Sequence, residues 1–204
     1  MMRTQLVRPY RDPSPAVRPA VRRADAGDRR PGADVEVRRV DVEVRRPGAD
    51  VEVRPARTDD EERIRRFLAG LSPRTQTLRF FTGLGRPAAS LVRALLVVDE
   101  RRDVLLAVCG DEVVGHAMSS GDGGAAVEIA VVVADGWQGL GLGSRLVRRL
   151  LRRAEAKGAR TVGMDVMAEN RGVLAMIGRK WPDATLRSSL GTVEVTAAVR
   201  REVR

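Results

Sequence analysis

The stretch VEIAVVVADGWQGLGLGSRLVRRLLRRA, residues 127–154, limits the fold of this chain more than any other. An apolar run over 125–134, broken by one charge at Glu128, stops at Asp135-Gly136. Gly139, Gly141 and Gly143 follow at alternate positions, and Leu142, Leu146, Leu150 and Ala154 then form an i, i+4 stripe. Apolar residues on both parities predict a strand covered on both faces, and the stripe predicts an amphipathic helix over 141–156, stopped by Gly158. A strand, a glycine-rich loop and a helix N-terminus make an anion site, because unpaired N–H groups and the positive end of the helix dipole point at the loop. Three glycines in five residues carry an entropic cost that a mere turn could avoid.

Two phosphate fingerprints fail here. G-x-G-x-x-G counted from Gly139 places its last glycine at Ser144, and counted from Gly141 at Leu146. The Walker loop ends in Gly-Lys-Ser/Thr, whereas this one ends Gly143-Ser144-Arg145. What remains is Gln138-x-x-Gly141-x-Gly143 directly after a strand.

The surrounding pattern alternates helices and strands. VEVR at 51–54 reads as a short strand. Thr58 and Glu61 form a capping box for the helix after it, and Ser72-Pro73 opens a second helix, with Ser as N-cap and Pro at the first helical position. A third helix is expected from Pro87 to Val97. The apolar runs about Gly110-Asp111-Glu112 read as a hairpin. TVGMDVM at 161–167 is a strand, a helix over 171–179 follows Asn170, and two strands are expected near 184–190 and 193–199. The sum is an α/β domain over 51–204, with early helices, an antiparallel meander and one strand–helix–strand crossover.

With these neighbours, Gln138-x-x-Gly141-x-Gly143 resembles the acyl-CoA loop of the GNAT superfamily of N-acetyltransferases, and the element order agrees across about 51–199. LSPRTQTLRFF further resembles the early helix of bacterial GNAT domains that acetylate protein lysines. The resemblance implies a largely antiparallel mixed sheet flanked by helices, acetyl-CoA as co-substrate, and an amine acceptor, either a protein lysine or a small amine. It implies that the backbone of Val131, Val132 and Val133 holds the pantetheine arm. The amides of Gln138, Gly139, Leu140, Gly141, Leu142, Gly143 and Ser144 would hold the pyrophosphate. Asn170 matches an asparagine that contacts the cofactor arm, a role compatible with capping the next helix. Glu128 matches a glutamate that accepts the amine proton, directly or through water. The alternative for Glu128 is an ion pair with an arginine, which would lower its pKa. Many GNAT enzymes carry a tyrosine acid where this chain has Ile177, and Trp181 falls where an aromatic is usual.

Residues 1–50 differ from the rest. They hold six of the ten prolines, and RRPGADVEVR at 29–38 recurs at 45–54, a 16-residue duplication. Few large apolar side chains predict a disordered extension. The net charge of +10 comes from arginines spread among acids, and aromatics are only 3%. The composition therefore lacks the stacking platforms of single-strand nucleic-acid binding, and an Arg-rich nucleic-acid binder ranks behind a non-catalytic acyl-CoA-binding module as the alternative function. One cysteine, Cys109, and one histidine, His116, make no metal cluster and are expected as packed strand residues. No run approaches the ~18 apolar residues of a membrane span, and the expected location is cytoplasmic.

Overall fold

The computed structural model describes residues 50–199 of the 204-residue chain. The repeat at 29–38, and with it the expected disordered extension, lies outside the described residues.

Seven strands form one mixed sheet in the order β1-β2-β3-β4-β5-β7-β6. β1 (Val51–Pro55), β2 (Arg102–Cys109), β3 (Glu112–Gly121) and β4 (Ala126–Val133) run antiparallel, each paired with the next. β5 (Thr161–Met167) is parallel to β4, and β7 (Thr192–Ala198) and β6 (Thr185–Ser189) continue the sheet antiparallel. The hairpin between β2 and β3 turns on Gly110, at φ 56, a conformation that costs glycine nothing.

Two cores flank the sheet. On one face α4 (Leu142–Ala156) lays Leu142, Leu146, Leu150 and Ala154 against Leu105, Val114, Ile129 and Val162. Trp181 and Ile177, from α5 (Arg171–Lys180) and its end, join the same core. Gly115 makes that approach possible, since a Cβ there would stand 2.9 Å from Leu146 Cδ1. The other face is covered by α1 (Glu61–Gly70) and α3 (Ala89–Ala94), through Ile64, Phe67, Leu68 and Val92. α2 (Pro73–Phe80) packs across β4 and β5.

Several expectations are corrected locally. Thr58 does not cap α1. Residues Thr58–Asp60 form a 3₁₀ turn, and buried Asp60 accepts from the Arg57 N–H at 2.8 Å and from both Arg54 terminal nitrogens at 2.7 Å. A carboxylate meeting a buried guanidinium two-pronged outcompetes a hydroxyl cap. The third helix is shorter than expected, because Pro87 and Ala88 stay extended before it. α4 begins at Leu142, with Gly141 outside it in the left-handed region. Ser72 caps α2 as expected, accepting from the Thr75 N–H at 3.2 Å. Cys109 is buried and unpaired. No helix among the described residues is long and apolar enough to cross a membrane.

Candidate functional site

β4 was expected to be covered on both faces. Only Ile129 and Val132 are buried, and Glu128 is exposed. The cause is the pairing. β4 meets β5 at three positions only, Ala126, Val127 and Glu128 opposite Thr161, Val162 and Gly163. Beyond them residues 129–133 keep only β3 as a partner, and 164–167 keep only β7, which pairs with β5 along its whole length. Two parallel strands therefore part immediately after Glu128 and Gly163, opening a cleft with a strand edge free of β5 at Val131, Val132 and Val133, where the Val133 carbonyl is met by the Gln138 side chain. Side chains of Val127, Ile129, Val131 and Val133 pack toward the α4 core. The alternation of a strand sends Glu128, Ala130 and Val132 to the α1–α3 side.

Glu128 stands where the strands part. Gly163 lies directly beside it, for a Cβ there would be 3.7 Å from Glu128 Cγ. Among the described residues no arginine pairs with Glu128, and its nearest charges are acids instead. Partial burial pushes its carboxyl above the ordinary value, and the negative charges of Asp165 and Glu194 push the same way. Asp165, opposite Glu194 across β5 and β7, is also raised, by burial and then by Glu194. No group of three His, Cys, Asp or Glu among the described residues is placed to hold a metal ion. The three carboxylates thus form an acidic wall beside the cleft, bordered by Arg187 of β6 opposite Glu194, in a chain of net charge +10. Asp165 and Glu194 were not singled out from the sequence. Their only signal is a shared parity in TVGMDVM and TVEVTAA.

At the far end of β4 lies the glycine loop. A 3₁₀ turn, Asp135–Trp137, closes with the Gln138 N–H donating to Asp135 O at 3.2 Å. Gly139 and Gly141 follow at φ 76 and 79, with no atom within 4 Å of where a Cβ would stand. From Gly139 through Leu140, Gly141, Leu142, Gly143 and Ser144 no backbone N–H has an acceptor among the described residues, and helical bonding begins with Arg145 N–H to Gly141 O at 3.0 Å. Six unengaged amides at the N-terminus of a 15-residue helix make an anion cradle. Gln138 differs from the others: its own N–H is taken, and its side-chain amide donates to Val133 O at 3.0 Å and Thr75 Oγ1 at 3.1 Å. The Ser144 hydroxyl meets Met176 Sδ at 3.7 Å, joining α4 to α5.

The remaining candidates sort by partner. Asn170 caps α5, its side chain accepting from the Val173 N–H at 3.4 Å. His116 is buried and donates from Nε2 to Leu95 O at 2.8 Å. Burial holds its pKa down at about 4, with the positive charge of Arg79 acting in the same sense against that hydrogen bond. A neutral, packed histidine at neutral pH stands outside the cleft chemistry. Ile177 is 1% exposed in the core and offers no titratable group.

Asp135, also missed from the sequence, ties the loop to α2. Its carboxylate accepts from Ser72 N–H at 2.9 Å, Ser72 Oγ at 2.6 Å and Thr75 Oγ1 at 2.7 Å. Burial alone would raise its pKa, but these hydrogen bonds outweigh burial and hold it low.

Comparison with known proteins agrees with this fold. Residues 70–179 match the family described as "Acetyltransferase (GNAT) family". The acetyltransferase PA5475 of Pseudomonas aeruginosa is 30% identical over 143 residues, 63% of this chain and 76% of its own. Among solved structures, the GNAT domain of S. lividans PAT is 26% identical at a TM-score of 0.66, covering 72% of this chain and 90% of that one. The yncA protein of Salmonella typhimurium, solved with its cofactor acetyl-CoA, shares the fold at 17% identity and a TM-score of 0.53, over 76% of this chain and 98% of that one.

Proposed function

The chain belongs to the GNAT acetyltransferase family and is an acetyl-CoA-dependent acetyltransferase; from that premise we propose that it transfers the acetyl group directly to a cationic amine, a protein lysine, with Glu128 as general base. The observation that carries this is the parting of β4 from β5 immediately past Glu128, with free amides at the other end of the same strand.

Five residues of strand separate Glu128 from Val133, about 16 Å at the rise of an extended chain. An acyl-pantetheine arm laid along the free edge of Val131, Val132 and Val133 bridges that span. It leaves the pyrophosphate on the amides of Gly139 to Ser144 and the thioester beside the carboxylates. Asn170, three residues past the end of β5 and the N-cap of α5, would reach the same arm from the β5 side.

The acidic wall supports a cationic acceptor. Asp165 and Glu194 attract a lysine ammonium and lift the pKa of Glu128, which makes Glu128 a better proton acceptor. The ammonium gives one proton to Glu128, directly or through one water, and the neutral amine so formed attacks the thioester carbonyl while a strand N–H steadies the oxyanion. The C–S bond breaks, and CoA leaves as thiolate. With Ile177 where many relatives place a tyrosine, solvent or the ammonium formed in the reaction returns a proton to sulfur.

The test is transfer of labelled acetyl from acetyl-CoA to lysine peptides and to small neutral and anionic amines. Lysine peptides are expected to be preferred, and Glu128→Gln to lower kcat by about 10²–10⁴. Equal turnover in Glu128→Gln across pH removes the base role. Tight CoA binding without turnover on any amine makes the chain an acyl-CoA-binding module instead.

A further inference from the structure

α2 touches none of the free amides, yet it is fastened to the loop that carries them. The 3₁₀ turn Asp135–Trp137 is already closed by main-chain bonds, Trp137 N–H to Ala134 O at 2.8 Å and Gln138 N–H to Asp135 O at 3.2 Å. The Asp135 carboxylate is therefore spare for the turn itself. It takes three hydrogen bonds from Ser72 and Thr75, 63 and 60 residues earlier in the chain, although Asp135 itself is exposed. Thr75 is the node. Its hydroxyl donates to Asp135 and accepts from the Gln138 amide, whose other bond grips Val133 O at the end of β4. Carboxylate acceptance makes the Asp135 bonds the strong members of this ring.

The adjoining face of α2 is held as well. Gln76 donates to Leu68 O and Leu71 O at 3.3 and 3.0 Å, and accepts from the Leu84 N–H at 3.1 Å. α2 is thus a bar between α1 and the glycine loop, lying across β4 and β5 beside the cleft.

We propose that Asp135 and Thr75 are positioning residues that lock α2 to the cofactor loop, so that loading acetyl-CoA sets the wall against which the amine acceptor docks. The proposal rests on 139–144 being the pyrophosphate loop. A rigid loop holds Asp135 and Gln138 in place, and they in turn hold Thr75 and Ser72. Cofactor occupancy is then felt at α2 without a contact between them, and coupling of this kind is reciprocal.

Hydrogen exchange of the full chain, with and without CoA, tests this. In the wild type, CoA is expected to slow exchange of the α2 amides severalfold. Thr75→Val keeps the buried shape and removes the hydroxyl. It is expected to still bind CoA but to lose the response of α2, with KM for acetyl-CoA and for the amine rising together by about tenfold, the loss of one charge-assisted bond. Thr75→Ser restores both. An α2 response to CoA in Thr75→Val equal to that of the wild type overturns the proposal, as does a wild type that binds CoA with no response in α2. A wild type that binds no CoA at all defeats the pyrophosphate-loop reading, and the coupling with it.

Discussion

The three loop glycines are not equivalent, and substituting them one at a time separates folding from binding. Gly141 sits at φ 79 immediately before α4, with no protein atom within 4 Å of where an added methyl would stand. Gly141→Ala therefore meets no steric wall, and its cost is the left-handed backbone alone, about 1–2 kcal/mol. Gly143 lies inside α4, where a Cβ would make an ordinary 3.7 Å contact with Val133 Cγ2. Gly143→Ala removes the conformational freedom of a helical glycine and stabilises by up to ~1 kcal/mol. The two variants should differ by about 1–3 kcal/mol, roughly 2–12 °C in Tm for a domain of this size. Binding should divide the same way. Gly143→Ala leaves the amides where they are, and calorimetry should find CoA affinity within about threefold of wild type. Gly141→Ala can relieve its strain only by swinging the amides of Gly141 and Leu142 away, and tenfold or greater weakening is expected, since each charge-assisted bond lost is worth about 1.5–3 kcal/mol. Thermal unfolding and titration with CoA read both quantities. Gly141→Ala with unchanged Tm and unchanged affinity would refute the claim that a left-handed glycine aims these amides.

Three further outcomes are expected. Asp165→Asn removes a charge that raises Glu128, so the acid limb of kcat/KM should move to lower pH, and a pH–rate profile with no shift would show that Asp165 is not felt at the base. Asp60 is held at about 2, first by the Arg54 hydrogen bond; its depressed pKa contributes about 2 kcal/mol that is present above pH 4 and lost as pH falls toward 2. Denaturant unfolding of Asp60→Asn at pH 7 should show a loss of about 3–5 kcal/mol, because Arg54 is left buried without its partner. His116, neutral with a pKa of about 4 against an ordinary 6.5, contributes stability above pH 6.5 that declines as pH falls to 4, because the unfolded chain takes up the proton first. The slope of unfolding free energy over that window should flatten in His116→Gln.

How much was legible beforehand varies with the range of the interaction. The hairpin at Gly110, the Ser72 cap and the α4 stripe all depend on residues within a few positions of one another, and each appears where local pattern places it. The Thr58 cap failed because a competitor six residues away, Arg54, claimed Asp60 and rebuilt the turn. Coverage of β4 on both faces holds at Ile129 and Val132 but not at Ala126 and Glu128, since apolar periodicity reports which way a side chain points, not how far the covering elements reach along the strand.

From the order of residues alone came the strand–loop–helix unit and a glycine backbone able to approach an anion, and from the family resemblance the candidates Glu128 and Asn170. Only the tertiary structure decided where β4 and β5 separate, that Glu128 faces Asp165 and Glu194 rather than an arginine, and that Asp135 reaches back to α2. The division follows from physics. Turn chemistry and helical stripes are set by short-range sterics and burial, whereas strand pairing, charge proximity and long-range hydrogen bonds depend on which distant segments the folded chain brings within a few ångströms.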